Sequence, residues 1–75
     1  MVIKTKLRLS SLEKHESAER DYFIAKFLDE DDNKFQFFID EYFYNELSKH
    51  KQYDVIDLSF NLYVSPKGRY GMSML

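Results

Sequence analysis

The chain has 75 residues, no cysteine, seven phenylalanines, six tyrosines and a formal net charge of −2. That length suits one domain near the lower limit for folding without a staple, and the missing thiols exclude disulfides, Cys-based zinc sites and thiol catalysis. The slight negative charge argues against a protein that simply coats nucleic acid, while leaving room for a local basic patch.

A core must therefore do the work of a staple, and aromatic rings bury much area per residue. The start, MVIKTKLRLSS, has basic residues but no apolar stretch, so it does not read as a signal peptide. No run of about 18 apolar residues predicts a membrane helix. Absence of cysteine fits a reducing, cytoplasmic setting.

Val2 to Leu9 alternates with period 2, which predicts a half-buried strand. Ile3, Thr5, Leu7 and Leu9 fall on the inner side; Lys4, Lys6, Arg8 and Ser10 fall on the outer. The polar stretch SLEKHESAER, Ser11 to Arg20, reads as a solvated loop, and the capping-box spacing of Ser10 and Glu13 allows one helical turn.

Two aromatic-rich runs then flank the acidic turn DEDDN. Pairing Phe27 with Phe35, Ala25 with Phe37 and Phe23 with Ile39 makes one face apolar throughout. The other face then carries Leu28–Lys34, Lys26–Gln36 and Ile24–Phe38. A slip of one residue would mix the faces, so burial fixes this register. These are the second and third strands.

DEYFYNELSKHK, Asp40 to Lys51, reads as a helix with Asp40 as N-cap and Lys49 and Lys51 in its last turn. Phe43, Leu47 and His50 make its apolar stripe. In the fourth strand Ile56, Leu58, Phe60, Leu62 and Val64 point inward. Ser65-Pro66-Lys67-Gly68 suits a type I turn with Gly68 in the left-handed region and a bulge. That register sets Val64 against Tyr70, Leu62 against Met72 and Phe60 against Met74. It also places Gly71 opposite Tyr63 on the outer face, where a ring can cover a strand glycine.

Five strands with one helix between the third and fourth match the five-stranded Greek-key barrel called the OB-fold, a single domain over residues 1–75. An SH3-like barrel is the alternative, although its last connection usually has only a short helical turn. With this strand order, this helix position and the ending LYVSPKGRYGMSML, the chain resembles small OB-fold single-stranded-DNA-binding proteins of phages and mobile elements. The resemblance implies single-strand binding. Two features depart from it: there is no tryptophan for stacking, and the chain stops on Met74-Leu75 rather than an acidic tail, so tail-mediated recruitment is not expected.

The outward positions of the first three strands are Lys4, Lys6, Arg8, Tyr22, Ile24, Lys26, Leu28, Lys34, Gln36 and Phe38. Basic side chains and rings interleave there with no carboxylate. Cations meet phosphates, and an aromatic face stacks on any base at about 1–3 kcal/mol. Tyr22 and Phe38 are the stacking candidates, and Gln36 can hydrogen-bond a base edge. The usual OB-fold surface adds the loop between the fourth and fifth strands, here with Lys67 and Arg69. The expected partner is single-stranded DNA, or RNA, bound with little sequence preference. The competing reading is a protein-docking or self-association face built on Ile24, Leu28 and Phe38.

Asp29, Asp31, Asn33 and Asp40 fall at positions 1, 3, 5 and 12 of an EF-hand-like loop, but Lys34 stands where the turn needs glycine. His15 and His50 lie far apart without cysteine support, which disfavours a metal site. Glu13, Glu16 and Glu19 read as a solvated run. No nucleophile elbow or phosphate loop is present. The expectation is a non-enzymatic protein without cofactor or metal.

Overall fold

The computed structural model describes residues 1–74, Met74 by its backbone alone. The elements are β1 (Val2–His15), β2 (Tyr22–Leu28), β3 (Lys34–Ile39), α1 (Glu41–Leu47), β4 (Val55–Val64) and β5 (Tyr70–Met74). The strands close into a barrel in the order β1-β2-β3-β5-β4, with β4 returning to β1. Every pairing is antiparallel except β3–β5, which is parallel and bridged at Phe38 and Gly71. A five-stranded barrel with its helix between β3 and β4 is the OB architecture, which displaces the SH3-like alternative. No helix among the described residues is long and apolar enough to cross a membrane.

The β2–β3 register is the one that burial demands: Phe27 faces Phe35, Ala25 faces Phe37 and Phe23 faces Ile39. The β4–β5 register also follows the bulged turn, with Leu62 against Met72 and Tyr63 against Gly71. Gly68 has φ +78°, and its N–H donates to the Ser65 carbonyl at 2.9 Å. The Tyr63 ring lies over Gly71 so closely that a Cβ there would overlap it. The DEDDN turn is built the same way, with Asp32 at φ +61° in the place Gly68 holds. Its Asp29 carboxylate accepts the Asp31 and Asn33 N–H groups, each at 2.9 Å, and the Asn33 side-chain amide.

The core joins Leu7, Leu9, Phe23, Phe27, Ile39, Ile56, Leu58, Phe60 and Met72 from the strands to Phe43 and Leu47 from α1. Burying each large side chain stabilises the fold by roughly 1.5–3 kcal/mol. The Asp40 carboxylate accepts the Phe43 N–H at 2.7 Å, which caps α1 as the sequence predicts.

Several expectations need correction. β1 does not end at Leu9: it runs to His15, and Ser11–His15 pair with β2 rather than forming a loop. A bulge between Leu9 and Ser11 lets one strand bend from β4 to β2. That bend is pinned by the Tyr53 N–H donating to the Leu9 carbonyl at 2.6 Å and the Gln52 amide donating to the Ser10 carbonyl at 3.1 Å.

The helix stops at Leu47 rather than Lys51, because tighter i→i+3 bonds from Lys49 and His50 close its end. Lys49 and Lys51 therefore lie beyond it, and His50 is exposed instead of completing the apolar stripe. Finally, inward parity does not guarantee burial: Val64, Tyr70 and Phe35 sit where hairpins overrun the core and are exposed. Ile24, on the outer face, is buried at 7% exposure.

Candidate nucleic-acid interface

A groove of about 720 Å³ runs between β2–β3 and the β4–β5 hairpin. Strand alternation puts Tyr22 and Phe38 on the outside of the barrel, while the Gly68 turn folds Lys67, Arg69 and Tyr70 toward them. The turn is held by the Ser65 N–H donating to the Arg69 carbonyl at 2.8 Å and by the Arg69 N–H donating to the Ser65 hydroxyl oxygen at 3.2 Å. Beside this groove lies a depression of about 420 Å³, lined by Tyr22, Ile24, Gln36, Phe38, Arg69 and Tyr70.

A row of planar groups crosses the sheet. The His15 and Tyr22 rings stack at 4.9 Å between centroids with an interplanar angle of 6°. Tyr22 and Phe38 follow at 6.0 Å. The Arg69 guanidinium carbon lies 5.6 Å from the Phe38 centroid, a cation–π contact. The row thus steps from β1 to β2 to β3 to the residue that opens into β5, perpendicular to the strands.

Charge on this surface is less uniform than the sequence suggests. The β1 bulge brings Glu13 onto the outer face beside Ile24, and its carboxylate pairs with Lys26 at 2.5 Å and with His15 at 2.8 Å. The hydrogen bond from Lys26, then that from His15, holds the Glu13 carboxyl below its ordinary range. Arg8 pairs with Asp32 and donates to the Asp29 carbonyl at 2.7 Å, fastening β1 to the β2–β3 turn. Asn33 hydrogen bonds hold the Asp29 carboxyl low as well. Among the described residues, Lys34, Lys67 and Arg69 have no carboxylate within ion-pair distance.

The structure brings together Tyr22, Gln36, Phe38, Lys67 and Arg69. Lys26 faces Gln36 across β2–β3, so it borders the same surface, though its charge is engaged by Glu13. Lys34 stands four residues from Phe38, roughly 13 Å along β3, at the acidic turn. Lys4 and Lys6 lie elsewhere: their cross-strand partners are Ser59 and Asp57 on β4, and Lys6 contacts Asp57 at 3.8 Å. Only the later half of β1, from Arg8 onward, adjoins β2.

Three contributors were not legible as site residues. His15 joins through the bulge, which no residue pattern announces. Tyr70 and Tyr63 read as an inward residue and a glycine cover, yet both line the groove. Arg20, Asp21, Asp40 and Glu41 also line it, giving mixed charge near the start of α1, with Asp21 paired to Lys14 at 3.8 Å.

No protein family, curated protein or solved structure matches the chain. Barrel topology and side-chain geometry alone define its class, a small OB-fold domain with a ring-lined groove on its β2–β3–β5 surface.

Proposed function

We propose that this is a non-enzymatic domain that binds single-stranded DNA, largely without regard to sequence. The observation that carries the reading is the row Tyr22, Phe38, Arg69, lying in a groove where Lys67 and Arg69 have no carboxylate partner among the described residues. Rings offer stacking surfaces to exposed bases, and cations beside them meet the phosphates that follow each base.

Titration with oligo-dT at low salt, read by tyrosine fluorescence, tests this directly. Quenching that saturates and weakens with added salt is the expected result. A parallel titration with oligo-U decides DNA against RNA. A flat signal with both polymers removes the reading.

The second reading is self-association through the same face. Phe38, half-buried, with Tyr22 and Tyr70, both exposed, would form its apolar contact. Ile24 adds little, since it is already covered within one molecule. Light scattering separates the two readings.

A further inference from the structure

We infer that the depression between β2–β3 and the β4–β5 hairpin is a subsite for one nucleobase, and that it selects guanine over adenine. The inference rests on the single-strand reading above and adds to it one position with sequence preference.

The depression has the parts such a subsite requires. Its floor is Ile24, which is buried yet lies outside the main core cluster, on the outer face. Its walls are Tyr22, Phe38 and Tyr70, whose faces can hold a planar base. Besides the tyrosine hydroxyls, its polar lining is Gln36 and Arg69. Neither side chain has a hydrogen-bond partner among the described residues. Gln36 is two residues from Phe38 on β3, so both project from the same face roughly 7 Å apart. Arg69 also lines the depression, its guanidinium carbon 5.6 Å from the Phe38 ring centroid.

The donor pattern sets the preference. Arginine has donors only, in a planar fork that matches the paired O6 and N7 acceptors of guanine. The Gln36 carbonyl oxygen can then accept from guanine N1–H or N2–H, edges that are open in a single strand. Adenine carries an N6 amino donor where guanine has O6, so it faces the guanidinium with donor against donor. Each such mismatch is worth about 1–3 kcal/mol, which corresponds to roughly a five- to 150-fold difference in Kd.

The test compares the nonamer dA9 with dA4-dG-dA4, so the single guanine stands in a background of the disfavoured base. Wild type is expected to bind the guanine-containing nonamer about tenfold more tightly. In Gln36→Ala and Arg69→Lys the ratio is expected to fall toward one. Arg69→Lys keeps the charge but loses the fork, so the ratio between the two nonamers, rather than either affinity, reads the subsite. Equal binding of both nonamers by wild type overturns the guanine subsite while leaving single-strand binding standing. A preference that survives in both variants also overturns it. Failure to bind dA9, dA4-dG-dA4 and oligo-dT alike overturns the subsite and the single-strand reading together.

Discussion

Phe38 on β3 and Gly71 on β5 are the bridged pair of the parallel seam that closes the barrel. One partner carries a ring held under Arg69, and the other lies beneath the Tyr63 ring. Barrel closure and the proposed binding groove therefore share the same backbone contact.

Phe38→Ala should cost oligo-dT affinity by about tenfold, in line with the loss of one base–ring stack. Phe38 is half-buried and lies outside the core cluster, so the variant should remain folded. Circular dichroism and light scattering accompany the titration. A wild-type dimer that Phe38→Ala turns into a monomer would favour self-association instead.

Charge substitutions should separate the two sides of the barrel. Arg69→Ala should flatten the slope of log K against log salt by about 0.7, the value for one phosphate contact on a single strand. Lys6→Ala should leave affinity and slope unchanged, because Lys6 faces Asp57 on the β1–β4 side. Equal effects from the two would place the nucleic acid elsewhere.

Gly71→Ala should destabilise the fold by about 1–3 kcal/mol, the usual range for overpacking. The added Cβ overlaps the Tyr63 ring, which must swing away. In Tyr63→Ala the space is open, so the same glycine substitution should cost much less. A double-mutant cycle by urea unfolding reads the difference.

Tyr53 holds φ +67°, a conformation that L side chains rarely adopt, while its N–H pins the β1 bulge. Asparagine tolerates this region better. Tyr53→Asn should raise stability by about 0.5–1 kcal/mol, visible as a higher Tm. The Tyr53 side chain is exposed, so little packing is lost in exchange.

Acid should weaken the fold through Asp29 and Glu13. Both carboxyls are held below their ordinary values of 3.8 and 4.5 by hydrogen bonds in the folded state. The stability they contribute is present above those values and is lost as pH falls through the lowered ones. Tm should therefore decline as pH drops below about 4.5. Asp29→Asn keeps an acceptor for the turn N–H groups but cannot titrate, so it should shrink the decline. An unchanged acid profile would remove Asp29 from this account.

The sequence by itself determined the order of the elements and the registers of the β2–β3 and β4–β5 hairpins. Burying one apolar face leaves Phe27–Phe35 and Leu62–Met72 no alternative, since a single slip would send rings to water. The order of elements was enough for the barrel class. Tertiary structure alone decided which outer side chains meet. The Leu9–Ser11 bulge is set by bonds from Gln52 and Tyr53, over forty residues away, and it carries Glu13 and His15 onto the face of Lys26 and Tyr22. Closure of β3 on β5 brings Arg69 over Phe38, while the pairing of early β1 with β4 takes Lys4 and Lys6 away. Alternation tells a side chain in from out along one strand; neighbours around a closed barrel depend on long-range pairing and on where the chain bends.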